Sequence, residues 1–172
     1  VLSIRKEGNT PAWGAVYEQY FQEIDKVKGQ KGVLSVEKKL FVETNNGTNR
    51  QIRPVTPEQP LRIGDKVIVR LTIRTDREMN YVFLKDLRAG CFEPADQLSG
   101  PESRDGIWYY RSPKDISENF FINRLPEGTF VLEYPVYVSR SGEYAGGIST
   151  IQCMYAPEFV SHTAGESLRI MP

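Results

Sequence analysis

Gly64-Asp65-Lys66-Val67-Ile68-Val69-Arg70-Leu71-Thr72-Ile73-Arg74-Thr75 decides the fold. Successive side chains of a strand point to opposite faces. Val67, Val69, Leu71 and Ile73 therefore share one face, and Arg70, Thr72 and Arg74 the other. Gly64-Asp65 supplies the turn into this strand. Upstream, Leu34 to Val42 repeats the pattern, with Leu34, Val36, Leu40 and Val42 in phase. Asn46-Gly47 follows, a pair that readily takes the positive φ angles of a type I′ hairpin turn.

Downstream the alternation continues. Asn80 to Asp86 and Ile107 to Arg111 read as strands, the second opened by Asp105-Gly106. Phe120-Phe121-Ile122 is a short apolar run, ended by Leu125-Pro126-Glu127-Gly128. Thr129 to Ser139 places Phe130, Leu132, Tyr134, Val136 and Val138 on one face. Pro135 cannot donate a ladder hydrogen bond, so it predicts an edge strand or a bulge. Ser141-Gly142 turns the chain into Gly147 to Tyr155, and Ser167 to Met171 forms a last strand. Aromatic-rich strands separated by Gly/Pro turns predict an all-β, antiparallel β-sandwich of Ig/fibronectin-III-like type.

Gln51 to Pro60, with three prolines, reads as an extended loop, and Pro94 to Asp105 as a surface loop. In Trp13 to Ile24, the residues Trp13, Val16, Tyr17, Tyr20, Phe21 and Ile24 follow helical spacing. Their aromatic and β-branched content favours a strand, so the residues alone leave both conformations open.

The 172 residues suffice for one domain, or one domain with a strand-rich lead-in, and bury a core without a disulfide or metal framework. Lys+Arg and Asp+Glu both number 22, a balance that argues against nucleic acid or an anionic membrane surface as partner. No apolar run approaches the roughly 18–20 residues of a membrane span. The sequence opens on Val1-Leu2-Ser3-Ile4 and reads as a fragment whose localisation signals lie elsewhere. Cys91 and Cys153 read first as buried thiols, with a bridge as the alternative.

Catalytic combinations are missing. His162 is the single histidine, which removes most metal sites and His-dependent triads. There is no nucleophile elbow, phosphate loop or dinucleotide fingerprint, so no catalytic residue, metal or cofactor is expected. Cys153 with His162 could form a thiol–imidazole pair, but a core thiol beside a loop histidine is the plainer reading. The acids Asp86, Glu93, Glu102 and Asp105 read as solvated loop charges. Asn46-Gly47-Thr48 matches a glycosylation triplet, yet serves better as a hairpin turn. Trp108-Tyr109-Tyr110 and Tyr81-Val82-Phe83 could stack on a ligand, but alternation sends about half of each cluster inward.

Four segments in order resemble the end of bacterial alpha-2-macroglobulins. Gly64 to Leu71 resembles the strand that opens the last macroglobulin domain. Asp86-Leu87-Arg88-Ala89-Gly90-Cys91-Phe92-Glu93-Pro94 is similar to an Asp-x-x-Pro-Ala-Gly-x-Glu-Pro turn, with Arg88 where Pro is common. Arg124-Leu125-Pro126-Glu127-Gly128-Thr129 resembles an Arg-Leu-Pro-x-Gly-Thr strand pair, and Met154-Tyr155-Ala156-Pro157-Glu158 a Met-Tyr-x-Pro-Glu segment. The resemblance implies a macroglobulin-like sandwich over 61–172. Residues 1–60 would be lead-in strands and a loop from a CUB-like region, able to pack on it. That placement makes Trp13 to Ile24 a strand.

The resemblance further implies a non-catalytic domain of a protease trap exported to the periplasm or cell envelope, with a lipid anchor as an option for its full-length form. Its partners would be the thioester and macroglobulin domains of the same full-length chain, and target proteases through that chain. No Cys-Gly-Glu-Gln occurs here, so the reactive bond lies elsewhere. By matching positions, Met154 and Tyr155 would shield a thioester or form a plain domain interface. The docking reading expects both on an exposed rim; the plainer one has them alternate on a strand, with one of them in the core. An Ig-like adhesion or carbohydrate-binding module is the competing expectation, and a Cys153/His162 hydrolase a third.

Overall fold

The computed structural model describes residues 3–16, 18–46, 49–56 and 58–172. Its strands are β1 (Ser35–Asn46), β2 (Asn49–Pro54), β3 (Leu61–Arg62), β4 (Lys66–Thr75), β5 (Met79–Leu87), β6 (Phe92–Pro94) and β7 (Gly100–Arg104). There follow β8 (Ile107–Pro113), β9 (Ser117–Leu125), β10 (Gly128–Val138), β11 (Gly142–Ala145), β12 (Ser149–Cys153), β13 (Val160–His162) and β14 (Ser167–Met171). A five-stranded sheet runs β2-β1-β4-β10-β6, and a six-stranded sheet β13-β12-β5-β9-β8-β7. A small third sheet, β11-β14-β3, contains the one parallel pair, β14 with β3. The protein is an open, largely antiparallel β-sandwich, the expected all-β class.

β4 holds the centre of the first sheet because both of its ladders are long. It pairs with β1 from Lys66↔Glu43 to Arg74↔Ser35, and with β10 from Lys66↔Tyr137 to Thr75↔Gly128. Val67, Val69, Leu71 and Ile73 are buried, as are Phe130, Leu132, Tyr134, Val136 and Val138 opposite them. These two rows meet Val82, Leu84, Phe120, Ile122 and Ile151 of the second sheet in one continuous core. Pro135 sits where β10 becomes an edge: β6 pairs only with Val136 to Val138. Asp105 (φ 51°) and Gly106 (φ 82°) form the two-residue loop between β7 and β8, with the double positive φ of a type I′ hairpin.

Four sequence expectations change. Pro94 to Asp105 is not all loop, because Gly100–Arg104 pairs with β8 as the outermost strand. An edge strand needs only one ladder, which makes Pro101 tolerable. Gln51 to Pro54 completes β2 before the proline-rich loop begins. Trp13 to Ile24 is neither strand nor helix where described; only a 3-10 turn at Ile24–Lys26 forms, and Trp13, Val16, Tyr20 and Phe21 are exposed. No packed surface is present to select either conformation. The last expected strand before Ser167, Gly147 to Tyr155, shortens to β12. The turn residues Gly47-Thr48, and Tyr17, lie outside the described residues.

Within 1–60, the parts differ. Ser35–Asn46 and Asn49–Pro54 supply two strands of the five-stranded sheet. Upstream, Gln30 bridges His162, and the Gly165 amide donates to the Val27 carbonyl at 2.8 Å. A Cβ at Gly165 would stand 1.9 Å from the Ile24 carbonyl oxygen, so only glycine allows this approach.

Candidate functional site

The outer faces of the two sheets differ in chemistry. On the five-stranded sheet, Lys66 pairs with Glu43 at 2.9 Å, and Glu133 accepts from Arg70 and Arg104, each at 2.6 Å. Burial would raise the Glu133 carboxyl, but these two guanidinium groups outweigh it and hold it below the usual range. Arg70 also covers the Phe41 ring at 4.4 Å. Ile52 and Tyr137 of this sheet are also exposed.

The six-stranded sheet instead presents aromatics. Register aligns Tyr110, Phe121 and Phe83 across β8, β9 and β5, with Phe83 and Phe121 stacked at 4.9 Å. Tyr110 and Phe121 are exposed, as is Trp108, while Tyr109 and Val82 turn into the core. The half-in, half-out division follows the alternation expected of both clusters.

Met154 and Tyr155 stand at one end of this face. They lie in the turn just after β12, not on a strand, so alternation does not bury either one. Met154 is 57% and Tyr155 81% exposed. Tyr81, 52% exposed, meets Tyr155 edge-on at 5.1 Å, and its carbonyl accepts the Met154 amide at 2.9 Å. Tyr81 was legible in the sequence only as a member of an aromatic cluster.

The thiols and the histidine do not combine. Cys91 and Cys153 are buried and free. Cys153 Sγ donates to the Asn80 carbonyl at 3.3 Å, and His162 Nδ1 lies 3.1 Å from the Thr163 carbonyl. His162 belongs to β13, not to a loop. Among the described residues, no group of three metal-ligating side chains occurs.

Two ionic networks lie inside the sandwich, and one is built on Asp86, for which a solvated loop charge was expected. Asp86, fully buried on β5, accepts Lys38 Nζ at 2.8 Å, Ser149 Oγ at 2.7 Å and the Tyr134 hydroxyl. Lys38 also donates to the carbonyls of Leu87 (3.0 Å) and Gly146 (3.2 Å). Gly147, at φ 73°, lets the covering loop pass: a Cβ there would stand 2.2 Å from the Leu87 carbonyl oxygen. Glu118 on β9 accepts Arg111 Nε at 2.7 Å and Arg88 Nη2 at 3.1 Å. Arg88, the departure from the family turn, is thus an internal partner; its Nη1 donates to the carbonyls of Lys114 and Asp115. Asp105 and Glu102 are also held: Asp105 accepts the Val131 amide at 3.1 Å, and Glu102 the Tyr109 hydroxyl at 3.0 Å. The Asp86 network joins β1, β5, β10 and β12, and the Glu118 network joins β8, β9 and the segment carrying Arg88, which suits both to holding the fold.

Burial also shapes the alkaline response. It pushes the Cys91 thiol up to about 11, and burial with the neighbouring Glu102 carboxylate pushes the Tyr109 phenol up to about 12. Tyr134 is held well above its ordinary value, by burial and by Asp86. Each group keeps its proton longer in the folded chain, so its contribution is complete below the unfolded pKa and lost as pH rises towards the folded one. Urea midpoints should fall from about pH 8.5 to about pH 11, with Cys91 accounting for about 2–3 kcal/mol. Cys91→Ala should flatten the first part of that decline; an unchanged slope would contradict this assignment.

The chain is thus an open β-sandwich with ion pairs on one outer face and exposed aromatics on the other. Residues 34–158 match the bacterial alpha-2-macroglobulin MG10 domain, and the chain belongs to that family. It is similar in structure to Salmonella alpha-2-macroglobulin reacted with methylamine, with TM-score 0.65 and 21% identity. It is likewise similar to native Escherichia coli alpha-2-macroglobulin from domain MG7 to the C-terminus, with TM-score 0.64 and 16% identity. Each alignment covers 84% of this chain but only 10% and 24% of those chains. Among curated proteins, it is 28% identical over 109 residues to Circularly permutated Ras protein 2 of Dictyostelium discoideum, covering 63% of this chain and 3% of that one.

Proposed function

We propose that this chain is the non-catalytic packing domain of an alpha-2-macroglobulin-like protease inhibitor, docking through its aromatic face onto a neighbouring domain of the same parent. The observation that carries this reading is the joint exposure of Met154, Tyr155 and Tyr81, next to the Phe83–Phe121 stack. Exposed apolar patches of this kind mark interaction surfaces. The contrast with the ion pairs of the opposite face favours this side as the covered one. Family membership supports another domain of the long chain as the occupant, and exclusion of water from a thioester as the task of Met154 and Tyr155.

Hydrogen exchange tests the docking. Amides of Tyr81 to Phe83 and of Met154 to Tyr155 should exchange more slowly in the full-length parent than in the 172-residue chain. Equal rates would remove the interface. In a parent carrying Cys-x-x-Gln, Met154→Ala with Tyr155→Ala should speed methylamine inactivation about tenfold, equivalent to about 1.4 kcal/mol of lost shielding. An unchanged rate would leave an interface without a shielding role. Glycan binding by the isolated domain through Trp108 and Tyr110 would favour the carbohydrate-module reading instead.

A further inference from the structure

The geometry points to Tyr81 as the positioning residue that presents Met154 and Tyr155 to their partner domain. This inference rests on the docking reading above and names a residue that the family motif does not contain.

Tyr81 has a φ of 56°, in the left-handed region that bulky side chains avoid. Backbone held in that region against its preference points towards a functional constraint. The local pairing shows what the conformation achieves. β12 pairs with β5 as far as Cys153↔Val82, and β5 pairs with β9 through Asn80↔Arg124 and Val82↔Ile122 on either side of Tyr81. Where the β12 ladder ends, the Tyr81 carbonyl takes the Met154 amide at 2.9 Å and closes the turn that carries Met154 and Tyr155. The Tyr81 ring then stands edge-on to Tyr155, 80° between planes and 5.1 Å between centroids. Such T-shaped pairs are favourable beyond their buried area. The adjoining Asn80 carbonyl accepts Cys153 Sγ at 3.3 Å and ties the base of the same turn to β5.

One residue therefore fixes the backbone of Met154 and the ring of Tyr155 together. A Tyr155 ring 81% exposed would otherwise sample several rotamers, and ordering them on docking would cost affinity. Held against Tyr81, it meets its partner already placed.

The test measures, by calorimetry, binding of the 172-residue chain to the remainder of the parent chain produced without it. Tyr155→Ala should weaken binding about tenfold. Tyr81→Asn, which removes the ring but tolerates left-handed backbone, should weaken it by a similar factor. Tyr81→Phe, which keeps the ring, should bind within about twofold of the wild type. The double variant Tyr81→Asn/Tyr155→Ala should be no weaker than Tyr155→Ala alone, because coupled groups are not additive. Additive losses would make Tyr81 an independent contact and overturn the positioning role. Loss on Tyr155→Ala with none on Tyr81→Asn would also overturn it, while leaving the interface standing. No loss on Tyr155→Ala would overturn the interface and the positioning role together.

Discussion

Asp86→Ala should destabilise the chain by about 3–5 kcal/mol, the cost of breaking a buried ion pair from one side. The carboxylate is fully buried and receives Lys38, Ser149 and Tyr134. Removing it strands an ammonium group and two hydroxyls in the interior, where each unpaired group bears its desolvation cost. Domains of this size are stable by only about 5–15 kcal/mol, so the variant should sit near its unfolding threshold at ambient temperature. Asp86→Asn should fall between, because it keeps an acceptor but leaves Lys38 uncompensated. Lys38→Met/Asp86→Leu should recover much of the loss, since well-packed apolar replacements of buried pairs are often neutral. Urea unfolding followed by circular dichroism reads all three. A loss below about 1 kcal/mol for Asp86→Ala would mean that the network does not hold the two sheets together.

Glu118→Ala should cost a similar amount for a different reason. Glu118 bridges two buried guanidinium groups, Arg88 and Arg111, and Arg111 also reaches the more exposed carboxylates Asp96 and Glu102, each at 3.5 Å. Its own burial raises the carboxyl, against the pull of Arg111 and Arg88. Taking it away leaves Arg88 without its carboxylate and Arg111 with only its two longer contacts, so the expected loss is again about 3–5 kcal/mol. Replacing all three residues with apolar side chains of similar volume should restore most of the stability. The measurement is the urea midpoint of the single and triple variants. If Glu118→Ala unfolds like the wild type, the triad contributes nothing measurable. If the triple variant is as unstable as the single one, geometry rather than stranded charge is responsible.

Both networks were partly legible. Asp86 continues the buried phase of Val82 and Leu84, and Glu118 that of Phe120 and Ile122. Lys38 stands between Val36 and Leu40, and Arg111 follows Ile107 and Tyr109. A charged residue in phase with an apolar face is a signal of an internal ion pair, and reading acids by loop composition obscured it. The same weakness hid β7, because a Gly/Pro-rich string can still serve as an edge strand. Strands of two or three residues, such as β3, β6 and β13, are too short to show any period.

Met154 and Tyr155 were found by their motif, and their exposure was settled by place. β12 ends at Cys153, so the pair falls in the turn beyond it, and Tyr81 reaches them only because β5 lies alongside. Alternation by itself determined the class of fold, its long strands and which face of each turns inward, because side-chain direction in an extended chain is a local property. Which charges meet was decided by tertiary structure alone. Lys38 and Asp86 are 48 positions apart, and so are Asp86 and Tyr134. Only the packing of one sheet on the other brings them within hydrogen-bonding distance.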